Sequence, residues 1–426
     1  GVISGTRLRE MSLEAKRDGV HGMIAGGTGS GKSELLMTLI VGLALNYDPS
    51  ILNFDLFDYK GGGAFKPFDN LPHVVDSITN LNKAAVKRML TAINAEMQRR
   101  QKLNADTGTK DIVDYRAKGL HLTHAAYSHL FIIIDEYAEM ITDNPEFKDE
   151  LDSITRVGRA QGVNLLLASQ RPTGVSDQMR ANIKFRICLR VEGVETSREM
   201  LRRSDAAFLP NGMPGRGYLQ VGNENVELMP NAHTGQPYPH AADKEGGKKP
   251  NFYDVIVDLC NELLQGQRPR TPWPPFLPTA MTLSDPLVEA YLDKSYRPLM
   301  SLGQTDRLAL NPFVQDWLDG KGVWHGLDWT KEAMRAIVGL LDDPYNARQM
   351  PLLVDFTRGH AVIFGASGWG KTTFMRSLIL SLAGTHSPDE FQAHVLDLGG
   401  RNLEVLRALP HVGTIIMPDE RGYEER

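Results

Sequence analysis

The sequence predicts an α/β fold, parallel sheets with helices on both faces, present twice in tandem. Three observations carry that prediction. Two glycine-rich loops of one pattern stand far apart in the chain. Short apolar runs alternate with amphipathic helical stretches, the rhythm of a parallel sheet joined by crossover helices. An ordered set of segments then recurs about 339 residues further on, as expected of an internal duplication.

The first loop reads Gly26-Gly27-Thr28-Gly29-Ser30-Gly31-Lys32-Ser33. The second reads Gly365-Ala366-Ser367-Gly368-Trp369-Gly370-Lys371-Thr372. Both satisfy G-x-x-x-x-G-K-[ST], and each lies between an apolar segment and an amphipathic one. The glycines let successive backbone N–H groups turn inward around an anion, and the helix start adds positive potential. The lysine reaches terminal phosphates, and the Ser33 or Thr372 hydroxyl is placed to ligate Mg²⁺. ATP with Mg²⁺ is the cofactor pair these loops call for.

In chain order, His21 to Ala25 reads as the strand into the first loop and Glu34 to Leu45 as the helix behind it. Ile51 to Asp58 is a strand that breaks at Gly61-Gly62-Gly63. Asn82 to Leu103 is a helix with Ala85, Met89, Ile93 and Met97 on one face, and Lys87, Arg88, Arg99 and Arg100 on others. Leu130 to Ile134 is continuously apolar, the mark of a central strand buried on both faces. Asp149 to Gln161 reads as helix, and Val163 to Ser169 and Phe185 to Val191 as strands. Glycine, proline, lysine and histidine dominate from about Asn231 to Asn251. The cluster Pro272-Trp273-Pro274-Pro275-Phe276-Leu277-Pro278 excludes regular helix or central strand. This region is expected to be a linker with one helix, Tyr253 to Leu264, whose Trp273 and Phe276 dock on a surface. In the second unit, His360 to Phe364 reads as strand, Thr373 to Leu382 as helix and Gln392 to Asp397 as strand. Asp397-Leu398-Gly399-Gly400 echoes Asp58-Tyr59-Lys60-Gly61-Gly62, and Leu409-Pro410-His411-Val412 echoes Leu71-Pro72-His73-Val74. The expected division is 1–245 as a first domain, 246–281 as a proline-rich linker and 282–426 as a second, incomplete domain.

Composition is that of a globular protein, 42% hydrophobic and 23% charged over 426 residues. A net charge of −5 offers no global footprint for nucleic acid, so no specific nucleic-acid partner is expected. Cys188 and Cys260, far apart, fit a reducing compartment, not a disulfide framework. No apolar run approaches the roughly 18–20 residues that cross a bilayer. Because the chain begins at Gly1 and stops soon after the second loop, it reads as a piece of a longer protein.

The chemistry of the first unit follows from strand ends. Asp135-Glu136 closes an apolar strand: Asp135 is placed for the Mg²⁺ shell, and Glu136 to orient and deprotonate water as general base. Gln170, beside Ser169 and Arg171, can contact the γ-phosphate or the lytic water. Transition-state charge needs a further cation, often from a neighbouring subunit, and Arg88, Arg99, Arg100, Arg156 and Arg159 are candidates, although each taken singly reads first as part of a solvated face. His121 and His124 have metal-like spacing without further ligands nearby and read as loop histidines. The expected fold is therefore two tandem RecA-like P-loop NTPase domains.

The segments Gly27 to Glu34, Asp58 to Gly62, Leu71-Pro72-His73, Arg99-Arg100-Gln101, Ile134-Asp135-Glu136 and Leu165 to Arg171 resemble the FtsK/SpoIIIE-type ATPases. Ile78-Thr79-Asn80-Leu81, Trp273-Pro274-Pro275 and Gly399-Gly400 with Leu409 to Gly413 narrow the resemblance. Together they are similar to EccC/EssC, the tandem ATPases of type VII (ESX-like) secretion systems. The resemblance covers nearly the whole chain. It implies a membrane-anchored motor on the cytoplasmic side, with an N-terminal membrane part and three ATPase units, acting as a hexamer on small helical WXG100-type export substrates. It also implies that Arg88 is the intersubunit finger. One residue departs from the pattern: Trp369 stands where Ser or Gly is usual. Family second units often hydrolyse poorly, so the second site is expected to bind nucleotide in a structural or regulatory role. The isolated chain is expected to be a weak ATPase. The competing readings are a DNA translocase of the same superfamily and a nucleotide-gated scaffold that does not hydrolyse.

Overall fold

The computed structural model describes residues 2–3, 7–14, 16–79, 82–223, 226–240, 249–265, 268–281, 334–399 and 401–417. Asn80, Leu81, Gly400, all of 282–333, where the second unit was expected to begin, and the C-terminal nine residues lie outside them. The chain divides into two compact units: Gly1–Pro274 with Pro344–Ala347, and Pro275–Asp343 with Arg348–Arg426.

In the first unit the two-residue pair β1 (Val2–Ile3) and β2 (Arg7–Leu8) precedes the main sheet. That sheet contains β3 (Gly22–Ala25), β4 (Leu52–Asp58), β5 (Val74–Thr79), β6 (His129–Asp135), β7 (Val163–Ser169), β8 (Phe185–Leu189), β9 (Arg216–Val221) and β10 (Glu227–Pro230). Their order is β10-β9-β8-β3-β7-β6-β4-β5. The six strands from β8 to β5 are parallel, and β9 and β10 add an antiparallel edge. Helices cover both faces, which is why the central strands are apolar without alternation. Leu130, Ile132 and Ile134 of β6 face α2 (Lys83–Asp106) and its neighbours, whereas Phe131 and Ile133 join the cluster that holds α1 (Lys32–Asn46).

Helix α2 starts where sequence placed it, with Asn82 accepting from the Ala85 N–H as its cap. Four short helices, α3 (Ile112–Ala117), α4 (Leu120–Thr123), α5 (Tyr137–Asp143) and α6 (Lys148–Val157), punctuate the middle of the unit. Two more, α7 (Asp177–Asn182) and α8 (Val194–Leu201), follow β7 and β8 respectively. Helix α9 (Phe252–Leu264), expected as part of a linker, buries Val257 and Cys260 in the α1-side core of the first unit.

The second unit contains an antiparallel hairpin, β11 (Arg335–Asp343) with β12 (Arg348–Asp355), that sequence reading did not anticipate. It also contains α10 (Lys371–Thr385) and the parallel pair β13 (Ala393–Leu396) and β14 (Val412–Ile416). The expected strand His360 to Phe364 does not form, and Phe364 is 90% exposed. The reason is pairing. In the first unit the corresponding β3 is a strand because β7 and β8, from more than a hundred residues downstream, hydrogen-bond both its edges. No counterpart of either strand is among the described residues of the second unit.

The repeated Leu-Pro-His-Val segment has a structural role in both copies. His73 Nε2 donates to the carbonyl of Tyr47, the residue that ends α1, at 2.7 Å. His411 Nε2 donates to the carbonyl of His386, which ends α10, also at 2.7 Å. Each histidine carbonyl accepts from the following strand pair, at Phe54 N and Ala393 N, 2.8 Å in both. Burial lowers the pKa of both rings, which keeps them neutral donors. The motif thus ties the far end of the phosphate-loop helix to the neighbouring strand. His73→Ala is expected to cost about 2–3 kcal/mol, since it leaves the helix-end carbonyl unpaired and opens a cavity. Urea unfolding monitored on the first unit checks this, and a loss below about 0.5 kcal/mol would contradict it.

Candidate nucleotide site

Strand pairing assembles the site. Because β3, β7, β6 and β4 are neighbours in that order, the loop after β3 comes beside Gln170, then Asp135 and Glu136, then Asp58. Asp58 and Asp135 are register partners, as are Ala25 and Ser169. Ligands in open α/β sheets lie at this carboxyl edge.

The first phosphate loop is shaped for an anion. Gly29 and Gly31 have φ of +73° and +93°, the left-handed region open to glycine. A Cβ on Gly31 would stand 2.7 Å from the Gly215 nitrogen, and that nitrogen donates to the Ser30 carbonyl at 2.8 Å. The loop is also pinned by Gly26 N to the Ser169 carbonyl and Gly27 N to the Arg190 carbonyl. The buried Ser30 hydroxyl has no partner among the described residues. Gly215 escaped sequence reading, since a glycine 184 positions beyond Gly31 gives no local sign of contact.

Lys32 Nζ, almost fully buried, donates to both Asp135 Oδ1 and Glu136 Oε1. Glu136 occupies the left-handed region, φ 58°, which turns its carboxylate back toward the lysine. The Gln170 N–H lies 3.4 Å from Glu136 Oε2, and its side-chain Oε1 accepts from Thr28 Oγ1 at 3.4 Å. Burial raises the pKa of Asp135, Lys32 draws it down, and Glu136 and Asp58 push it up again; the net direction is upward. Asp58 accepts from Gly61 N at 3.0 Å and so holds the glycine loop after β4. Three carboxylates and one ammonium leave a negative excess suited to a divalent cation. Open loop N–H groups, an unpartnered hydroxyl and this acidic edge fit Mg²⁺ and a nucleoside triphosphate. When bound, Mg²⁺ would neutralise developing charge on the phosphates. Lys32 and the loop would hold the phosphates, Ser33 and Asp135 the ion, and Glu136 would serve as the base.

The candidate arginines separate. Arg156 and Arg159 are exposed. Arg100 is 3% exposed and committed to the Ser128 and Gln161 carbonyls and to Glu96, which overturns its placement on a solvated face. Arg99 bonds Glu96 through two nitrogens at 2.7 Å. Arg88, half-buried near the start of α2, donates Nη2 to the Pro274 carbonyl at 2.8 Å. Trp273 is buried at 5% exposure and its Nε1–H donates to Asp76 Oδ2 at 3.1 Å, whereas Phe276 remains 38% exposed. The tryptophan docks as expected.

The second loop keeps the form of the first, with Gly368 and Gly370 at φ of +80° and +83° and α10 beginning at Lys371. Its lysine differs. Lys371 Nζ turns back to the carbonyls of Gly365 and Ala366, 2.6 and 2.7 Å away, instead of to carboxylates. Trp369 is 82% exposed, so its bulk is accommodated outside the turn. Asp397, like Asp58, accepts a backbone N–H of its glycine segment, from Gly399 at 3.2 Å.

A mainly parallel sheet with a lysine-bearing phosphate loop facing a strand-end acid pair defines a P-loop nucleoside triphosphatase of the RecA-like class. The FtsK/SpoIIIE family profile matches residues 6–174 and 328–423, one stretch in each repeat, and the chain belongs to that family. Its relatives there are type VII secretion ATPases. It is 36% identical to the ESX secretion system protein EccC of Geobacillus thermodenitrificans, over 98% of this chain and 28% of that protein. It is 34% identical to the type VII secretion system protein EssC of Staphylococcus aureus, over 99% of this chain and 29% of that one. The chain thus spans under a third of the curated relatives it matches. Among solved structures, the cytoplasmic domain of the Thermomonospora curvata type VII secretion ATPase EccC superposes with a TM-score of 0.81 at 33% identity, covering 98% of this chain and 46% of that one. ATPases 2 and 3 of the Geobacillus thermodenitrificans EssC share the fold at 19% identity and a TM-score of 0.63. No described helix is long and apolar enough to cross a membrane.

Proposed function

We propose that the first unit is an ATP-hydrolysing motor that powers protein export through a type VII secretion system, and that the second site binds nucleotide mainly in a regulatory role. The observation that carries the reading is the joint hold of Lys32 by Asp135 and Glu136 at the strand ends. In the hydrolytic state Lys32 exchanges these carboxylates for the phosphates, which leaves Glu136 to take a proton from water while Gln170 senses the γ-position. Lys371 is turned to the carbonyls of its own loop, unlike Lys32 on its carboxylates. The parent protein is placed on the cytoplasmic side of the membrane, attached to the secretion complex through a part N-terminal to this chain. Its cargo is taken to be small helical proteins of the WXG100 type.

Arg88 is assigned to the site of a neighbouring subunit in a hexameric ring. Helix α2 follows the edge strand β5, and its Arg88 guanidinium donates to the Pro274 carbonyl. Transition-state charge in this class is often met by a cation from a neighbouring subunit, and Arg88 is assigned that role. ATP turnover measured against protein concentration tests this. The specific activity of the wild type is expected to rise as rings form, and Arg88→Ala to remain about 10³-fold lower at the plateau. Equal activity in the two, or a flat concentration dependence, would overturn the assignment. Strong stimulation by duplex DNA with no response to export substrates would favour the DNA-translocase reading instead.

A further inference from the structure

A cavity of about 290 Å³ opens in the first unit at the amino-terminal ends of β4 and β6, across the sheet from the nucleotide loop. The loop after α1, the second half of α2, the segment before β6, Leu264 and the stretch from Arg268 to Pro272 form its walls. Four arginines line it, Arg99, Arg100, Arg268 and Arg270, against two carboxylates, Glu96 and Asp48. None of these groups takes part in the chemistry above.

Glu96 is the anchor of the cluster. Its side chain is 1% exposed, and burial alone would keep it protonated. Arg99 and Arg100 outweigh burial and bring its carboxyl down to about 2. Arg270 approaches the same carboxylate at 3.6 Å. One carboxylate is thus shared by three guanidiniums. Arg100 is spent on backbone carbonyls as well, and lies over the Tyr127 ring. Arg99 and Arg270 are different: each has N–H donors beyond those turned to Glu96, and their side chains are 30% and 48% exposed. Burial, and then the Arg99 cation, push the Arg270 pKa down. Asp48, the other carboxylate on the wall, accepts from the Ser50 N–H, so two negative charges face the four guanidiniums. His121 faces the same cavity with a buried Nδ1 that has no partner among the described residues.

We propose that this cavity is a binding site for a small multivalent phosphate anion, held by Arg99 and Arg270. Guanidinium forks match phosphate oxygens in pairs, and desolvated walls strengthen the attraction. The volume admits more than orthophosphate. The walls contributed by Leu130, Leu264, Pro269 and Pro272 close the site around the charged edge. Arg270 lies three residues before Trp273, so the site is complete only while that segment is docked. Anion binding and docking therefore favour each other, by linkage.

The test uses the full chain with Lys32→Ala and Lys371→Ala, which removes both phosphate loops as competing sites, and sodium pyrophosphate as the probe at constant ionic strength. Titration calorimetry is expected to give one saturable site, with a melting temperature that rises as the site fills. Arg99→Gln with Arg270→Gln should weaken binding at least tenfold. Arg270→Gln alone, at a half-exposed position, should weaken it severalfold and guards against a folding defect in the double variant. A melting shift that does not saturate, or that is equal in the arginine variants, overturns the site. Saturable binding of citrate with none of pyrophosphate overturns the phosphate assignment.

Discussion

Glu136→Gln is expected to lower ATP turnover by about 10²–10⁴-fold while nucleotide affinity stays within a few-fold of wild type. The amide keeps the shape of the side chain and its contact to Lys32, but it accepts no proton from water. Binding survives because the phosphate loop, Ser33 and Asp135 are untouched, and Lys32 retains Asp135 as a partner. Turnover and binding of a fluorescent ATP analogue should be read on the same preparation. A Lys371→Ala control removes any contribution of the second loop. If Glu136→Gln hydrolysed at the wild-type rate, the base would lie elsewhere. If neither protein hydrolysed even at ring-forming concentration, the scaffold reading would gain.

Trp273→Ala is expected to raise turnover of the intact chain about tenfold, corresponding to the release of a contact worth about 1.4 kcal/mol. The segment from Arg268 to Pro274 is fastened at four points: Arg268 to the Asn70 carbonyl, Arg270 to Glu96, Trp273 to Asp76, and the Pro274 carbonyl to Arg88. The last of these occupies the guanidinium assigned to a neighbour's site. While the segment is docked, Arg88 is turned to its own chain. The indole is the apolar part of that fastening, so its loss should favour the undocked state most. Burial raises the Asp76 pKa and the Trp273 N–H opposes that, so the variant also leaves a half-hidden carboxylate without its donor. Adding Arg88→Ala to Trp273→Ala should abolish the gain. Unchanged turnover in Trp273→Ala would separate docking from activity.

The candidate site was legible where chemistry is local. A phosphate loop is eight consecutive residues, and Asp135-Glu136 declares itself by following an apolar run. The continuous apolarity of Leu130 to Ile134 reports burial on both faces before any partner is known. Arg100 shows the limit. Beside Arg99 on an amphipathic helix it reads as solvated, yet its partners are carbonyls at Ser128 and Gln161, remote in sequence. The proline cluster marked an irregular segment, but the partner of Trp273, Asp76, lies 197 positions away and left no local sign.

The sequence by itself determined the two nucleotide loops, the duplication, the strand-end acids and the class of sheet, because each depends on residue type and short spacing. It also singled out Leu71-Pro72-His73-Val74 as repeated, though not as a brace for the phosphate-loop helix. The assembled structure decided that Lys32 rests on Asp135 and Glu136, that Gly215 backs the loop, and that Arg88 meets the Pro274 carbonyl. These facts depend on strand order, which is settled by contacts between segments from a few tens to more than a hundred residues apart. The second loop makes the point in reverse. His360 to Phe364 has the composition of the strand His21 to Ala25, but a strand exists only where neighbours take up its hydrogen bonds.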